Sequence, residues 1–404
     1  MRRNVEADQA EAAHLRGHPK EVFATFLKLG LMSFGGPVAH LGYFRDELVI
    51  RRRWLSDSAY AELVALCQFL PGPASSQVGF AIGLLRAGWL GALAAFAAFT
   101  LPSAVVLFAF AMTATRISGP VGTGVLHGLK IVAVAIVAQA VWGMARNLCP
   151  DRERAGIAVL AVVMLAILPG TLGMMGAITV GALVGLALGR GIGAPRGGDV
   201  IVPVSRRVAG FALFIFVALL VCLPLVAGQG QGLAILDSFF RAGALVFGGG
   251  HVVLPLLETE VVQSGWMTPD AFLAGYGAAQ AVPGPLFTIA AYLGGGAYGL
   301  AGAVIATFAI FLPGFLVLIG VLPFWDRFRS MARAQSLMQG ANAAVVGILG
   351  AALYAPVFTN AISDMSDFAL ALVCFVLLTA WKVPPWGVVI VAALGGAGLM
   401  LMRG

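Results

Sequence analysis

The sequence predicts an all-α integral membrane protein. It would be built from two inverted-topology repeats, each of about six apolar segments with broken or re-entrant helices, joined by one linking span. Three observations carry that prediction. First, 60% of the 404 residues are apolar and only 11% are charged, against roughly 45–50% and ~25% in soluble domains. So few charges cannot cover a soluble protein of this length, which excludes a soluble globular enzyme, a disordered chain and a nucleic-acid-binding domain. Second, the chain repeats itself. Third, both copies interrupt an apolar run with Pro-Gly-Pro. At about 30 residues per span and loop the length corresponds to on the order of 13 spans.

The repeat is read from unusual residues held at a nearly constant offset. Phe34-Gly35-Gly36 aligns with Phe247-Gly248-Gly249, Glu47 with Glu260, Trp54 with Trp266, and Gln68 with Gln280. Pro71-Gly72-Pro73 aligns with Pro283-Gly284-Pro285, Gly88 and Gly91 with Gly299 and Gly302, Leu101-Pro102 with Leu312-Pro313, and Gly128 with Gly340.

In chain order, residues 1–20 are polar without an apolar h-region, so they read as a cytoplasmic tail and not a cleaved signal peptide. The first repeat, 21–190, holds apolar segments at about 21–43, 57–86, 88–114, 119–145, 155–169 and 171–189. Residues 191–230 contain a glycine- and arginine-bearing linker and one unpaired segment, about 207–227. The second repeat, 231–404, holds segments at about 233–257, 269–296, 299–322, 336–358, 367–381 and 385–402. A single span between two like halves turns the second upside down, the plan of many secondary transporters.

Charge placement agrees with inversion. Arg45–Arg53 is rich in arginine, whereas its counterpart Glu258–Gly265 has no Lys or Arg. Arg146, Arg152 and Arg154 face an acidic counterpart, Thr359–Asp367. With the N-terminus inside, Arg45–Arg53 stays inside where the first segment is re-entrant. Whether segments 1 and 2 both cross or both re-enter leaves the later parity unchanged. These contrasts then follow the positive-inside rule, as do Arg190–Arg207 and Arg327–Arg333, while Arg116 and Arg403 run against it. The net charge of +7 is therefore read as topological and not as a nucleic-acid surface. The four cysteines, Cys67, Cys149, Cys222 and Cys374, show neither metal nor disulfide spacing.

Several residues could carry chemistry. Each Pro-Gly-Pro breaks a helix, frees backbone N–H groups and starts a new helix whose dipole favours an anion. Ser75 and Ser76 follow the first break, and Thr288 follows the second. The alternative for these breaks is a structural kink with capping hydroxyls. Gly35-Gly36 and Gly248-Gly249 either line the same site or allow close packing. Lys28 and its counterpart Arg241 either compensate an anion or snorkel to the interface. Lys130, with Asn342 at the equivalent position, serves either a substrate or an ion pair. Gln68 and Gln280 precede the breaks and could line the cavity. Glu47, Glu258, Glu260 and His251 are candidates for carrying a coupling proton, although a solvated helix end or a structural His is the simpler reading. No Walker A, HExxH, paired intramembrane aspartates or nucleophile elbow is present, so neither an enzyme, a cofactor nor a metal site is expected.

The stretches LGLMSFGGPVAHLGYF (Leu29–Phe44), QFLPGPASSQVG (Gln68–Gly79), FTLPSAVVLF (Phe99–Phe108), FGGGHVVLPLLE and QAVPGPLFTIAAYLG resemble the chromate ion transporter family, in its bidomain long form. The resemblance covers roughly residues 22–400. It implies a bacterial inner-membrane carrier that exports chromate by alternating access, driven by ion gradients or the membrane potential. A coupling proton or counter-anion and a homodimer are compatible with it. A carrier or exchanger of sulfate or another oxyanion, and a passive anion channel, are the alternatives. The second copy departs from the first with Gly250 for Pro37 and with Thr288 among apolar residues, which argues against a fully symmetric site.

Overall fold

The structure, a computed structural model, describes residues 17–114, 116, 117, 119–191 and 204–403. Most of the tail 1–20 and most of the Arg190–Arg207 linker lie outside the described residues. Those described form helices joined by turns and irregular breaks, with no strand.

Local chemistry starts equivalent helices in the same way. The first repeat runs α1 (Pro19–Met32), α2 (Gly36–Phe44), α3 (Asp57–Phe69), α4 (Ala74–Ala114), α5 (Gly119–Leu148), α6 (Arg152–Ile167) and α7 (Thr171–Leu188). After α8 (Arg206–Val226) comes α9 (Gln231–Ala244), then α10 (Val253–Val261), α11 (Pro269–Ala279), α12 (Ile289–Val321), α13 (Ala332–Ala352), α14 (Met365–Thr379) and α15 (Pro385–Arg403). Among the long helices of the described residues, α8 has no repeat counterpart. Ser56 caps α3 by accepting from Ala59 N–H, and Thr268 caps α11 by accepting from Ala271 N–H. Asp151 and Asp364 cap α6 and α14 by the same device.

Among the described residues seven helices are long and apolar enough to cross a membrane, namely α4, α5, α7, α8, α12, α13 and α15. This is fewer than the length alone suggests, for two reasons. Helices α4 and α12 each fold back on themselves, at Ala87–Gly88 and Tyr298–Gly299, with nearly identical dihedrals. Each therefore supplies two of the predicted segments. Helices α1, α3, α9 and α11 have 14, 13, 14 and 11 residues. At 1.5 Å per residue none reaches across a ~30 Å hydrocarbon core.

The two repeats are exchanged in space. α1 packs on α4 and α9 on α12, and α4 meets α12 at the centre. There Phe80 stacks on Phe315 with ring centres 4.4 Å apart, and Phe96 meets Phe311 edge-on at 5.1 Å. The terminal hairpins cross over: α6 and α7 pack on α13, and α14 and α15 pack on α5. Glycine permits the close approach on both sides. Gly128 lies against the Ala392 carbonyl, and Gly340 against the Gly181 carbonyl. Without a hydrophobic force between helices in lipid, such contact supplies the cohesion. Polar clips close both hairpins. Arg190 reaches Glu153 at 2.7 Å, while Arg403 reaches Asp364 at 2.5 Å and Asp367 at 2.8 Å. Arg403, which ran against the topological trend, is thus held by two carboxylates of the acidic Thr359–Asp367 stretch.

Candidate functional site

Four chain breaks converge where the repeats cross. Ser33–Gly35 separates α1 from α2, and Leu245–Gly249 occupies the same place after α9. The two Pro-Gly-Pro breaks precede α4 and the 3-10 turn Leu286–Thr288. Each proline-flanked glycine donates its amide to the other repeat: Gly72 N–H to the Val246 carbonyl at 2.8 Å, and Gly284 N–H to the Ser33 carbonyl at 2.9 Å. Ser33 and Val246 are equivalent positions, so the bonds are reciprocal. Both glycines have left-handed φ, +115° and +109°. Gly250 lies against the ring of Pro37. This explains why the second copy lacks a proline there, since two proline rings would compete for one space at the crossing.

The buried hydroxyls and the imidazole beside the α4 N-terminus come from the first repeat. His40, on α2, places Nδ1 3.3 Å from Ser75 Oγ at the start of α4, and both residues are buried. The Phe99 ring meets the imidazole edge-on at 5.4 Å. Gln77 Nε2 donates to the carbonyls of Pro71 and Gly314, both at 2.9 Å, which ties the first break to the second repeat. Ser103 Oγ lies beside Gly284. Several buried atoms have no partner: Ser33 Oγ, His40 Nε2, Ser76 Oγ, Gln77 Oε1 and Thr100 Oγ1. Buried polar atoms normally find one. The equivalent second-repeat residues are Val246, Val253, Phe287, Thr288, Ile289, Phe311 and Gly314. Only Thr288 among them has a hydroxyl, and it donates to its own Pro285 carbonyl at 2.7 Å. Hydroxyl and imidazole donors beside a helix N-terminus suit an oxyanion.

The charged residues named from sequence fall elsewhere, most of them in ion pairs. Lys28 pairs with Glu47 at 3.0 Å, and Arg241 with Glu260 at 3.0 Å. The two cations aligned by the repeat thus engage the two aligned glutamates. Arg52 also bonds Glu47 at 2.9 Å. Burial opposes ionisation of Glu47, but the hydrogen bonds from Arg52 and Lys28 outweigh it and hold the carboxyl below its ordinary range. Lys130 crosses between repeats to Asp270 at 3.0 Å. Asn342 lies beside Gly248, with its Oδ1 buried and unpartnered. Gln68 is exposed, whereas Gln280 is half-buried with an unpartnered Nε2. Gly35, Gly36, Gly248 and Gly249 form the turns themselves. His251 Nδ1 lies 2.7 Å from the Tyr276 hydroxyl, and Glu258 is half-buried on α10. Sequence reasoning missed His40, Ser33, Gln77, Thr100 and Ser103. Most of these sit inside the quoted motifs, so proximity to a break was the available signal.

A family model described as "Chromate transporter" matches residues 20–186 and again 233–399, once over each repeat. The chain is 31% identical over 395 residues to the chromate transport protein of Pseudomonas aeruginosa, covering 94% of this chain and 92% of that protein. It is 27% identical over 401 residues to a probable chromate transport protein of Synechococcus elongatus, covering 95% and 97%. It is also 27% identical over 379 residues to the chromate transport protein of Cupriavidus metallidurans, covering 90% and 88%. No solved structure matches.

Proposed function

We propose that this chain, which belongs to the chromate transporter family, exports chromate across the bacterial inner membrane as a secondary carrier working by alternating access, with its N-terminus in the cytoplasm. Its relatives are named transport proteins, which points to a transporter and away from an enzyme. The observation that carries the finer reading is the crossing of four helix breaks with an unpartnered buried imidazole nitrogen and unpartnered buried hydroxyls contributed by the first repeat. Chromate is a divalent tetrahedral oxyanion. In this reading Ser75, Ser76 and His40 donate to its oxygens at the α4 N-terminus, where the helix dipole adds positive potential. The oxyanion would satisfy groups that are otherwise costly to bury.

Access would alternate by rocking of the crossed halves about the junction, as in carriers built from inverted repeats. The arginine-rich Arg45–Arg53 stretch and Arg146, Arg152 and Arg154 would mark the cytoplasmic side, and Thr359–Asp367 the opposite face. Purified protein in liposomes loaded with unlabelled chromate tests this. A carrier gives saturable uptake of labelled chromate with transient accumulation against its gradient, and excess sulfate slows it less than excess chromate does. Flux that never accumulates label would indicate a channel. Equal competition by sulfate would make the substrate class broader than chromate.

A further inference from the structure

The Lys28–Glu47 pair and its counterpart differ in charge. Around Glu47 stand Lys28, Arg51 and Arg52, and Arg52 and Arg86 also meet Glu21. The first-repeat cluster is therefore cationic. In the second-repeat cluster, among the described residues, Arg241 is the one cation, and two carboxylates hold it: Asp237 Oδ2 at 2.8 Å and Glu260 Oε2 at 3.0 Å. Thr171 Oγ1 donates to the other Glu260 oxygen at 3.3 Å. With both acids ionised this cluster carries one uncompensated negative charge. The side chain of Asp237 is 5% exposed, and its Oδ1 has no hydrogen-bond partner. The first repeat has Ala24 at the position of Asp237, so duplication alone does not account for this acid.

The surroundings offer little to offset the charge. α9 packs against α8, α10, α12 and the 3-10 turn Ala227–Gln229. That turn and α12 carry no Asp, Glu, Lys, Arg or His. α8 has cations only in its first turn, Arg206 and Arg207, and α10 adds only acids, Glu258 and Glu260. His251, just before α10, is engaged by Tyr276. A buried excess carboxylate with a bare oxygen is relieved by binding a proton there.

We propose that the Asp237–Arg241–Glu260 cluster binds the proton coupled to anion movement, with Asp237 Oδ1 as the protonated atom. Uptake of one proton from water converts the Asp237 carboxylate to the acid and makes the cluster neutral, and release restores the charge. The proposal rests on the carrier reading above, but it is independent of which atoms hold the anion.

The test uses the full chain in liposomes with labelled chromate as probe. Chromate–chromate exchange without a pH gradient is compared with net uptake under an imposed gradient. Wild-type protein should show gradient-stimulated uptake. Asp237→Asn should keep exchange within about twofold of wild type and lose the stimulation, because a neutral side chain no longer changes charge on protonation. Asp237→Ala, which introduces the first repeat's residue, should behave alike and guards against misfolding of the amide variant. Glu258→Gln should keep the stimulation. Wild-type flux indifferent to the gradient, stimulation surviving in both Asp237 variants, or loss on Glu258→Gln alone would overturn the proposal. Absence of exchange in the wild type would instead remove the carrier reading itself.

Discussion

Glu47 has three cations within reach, and Arg241 has two carboxylates. Removing Lys28 leaves Glu47 bonded to Arg52, whereas removing Arg241 leaves two partly buried acids with no cation. Lys28→Gln should therefore cost about 1 kcal/mol or less, as for an exposed pair. Arg241→Gln should cost about 3 kcal/mol or more, as when a buried partner is lost. Thermal unfolding in detergent measures both, and equal losses would refute the contrast. The depressed carboxyl of Glu47 fixes the sign of its pH dependence. Its contribution is present above the ordinary Glu range of about 4.3 and is lost as pH falls below that, so neutral-to-alkaline changes should leave it intact. Both pairs were half-visible in the sequence, because each cation and each glutamate survived duplication in register. Their mutual partnership was not, since a matched residue reveals that it is retained and not what it touches.

At the level of elements the breaks hold the molecule together. Gly72 and Gly284 combine positive φ with an amide donated to the opposite repeat. An ideal Cβ at Gly72 would lie 2.9 Å from Gly314 Cα, and at Gly284 2.8 Å from Ser103 Oγ. Gly72→Ala and Gly284→Ala should each lose most chromate transport, since left-handed strain of about 1–2 kcal/mol adds to a clash at the crossing. Gly42→Ala is the matched control: Gly42 lies within α2 and has open space around its Cα. It should transport normally, and a Gly284→Ala protein that does the same would show that the crossing is only structural. The hairpin turns of α4 and α12 were legible as segment boundaries near residues 87 and 298, because glycine recurs there in both copies. That the terminal hairpins pack on the opposite repeat was not legible. Small residues permit close approach without specifying a partner.

At the scale of the whole molecule, the two repeats share a fold and differ in chemistry. Comparing them exposes the scaffold, because only residues common to both copies stand out. The polar cluster of Ser33, His40, Ser75, Ser76 and Gln77 exists in one copy, and the equivalent positions in the other are Val246, Val253, Phe287, Thr288 and Ile289. A search for matched residues therefore does not single out Ser33, His40 or Gln77, whereas Ser75 and Ser76 were named because they follow a break; His40 went unnoticed although it lies six residues after the first Phe-Gly-Gly begins. The composition, the duplication and the breaks placed the fold, while the site had to be read from spatial neighbours. Measuring initial rates of labelled chromate uptake by liposomes containing His40→Ala, Ser76→Ala or Thr288→Val tests the one-sided site most directly. The first two should fall at least about tenfold with unchanged folding, the scale expected when a buried recognition donor is removed. Thr288→Val, at the position equivalent to Ser76, should stay near wild type. Wild-type rates in His40→Ala and Ser76→Ala, or a loss confined to Thr288→Val, would contradict it.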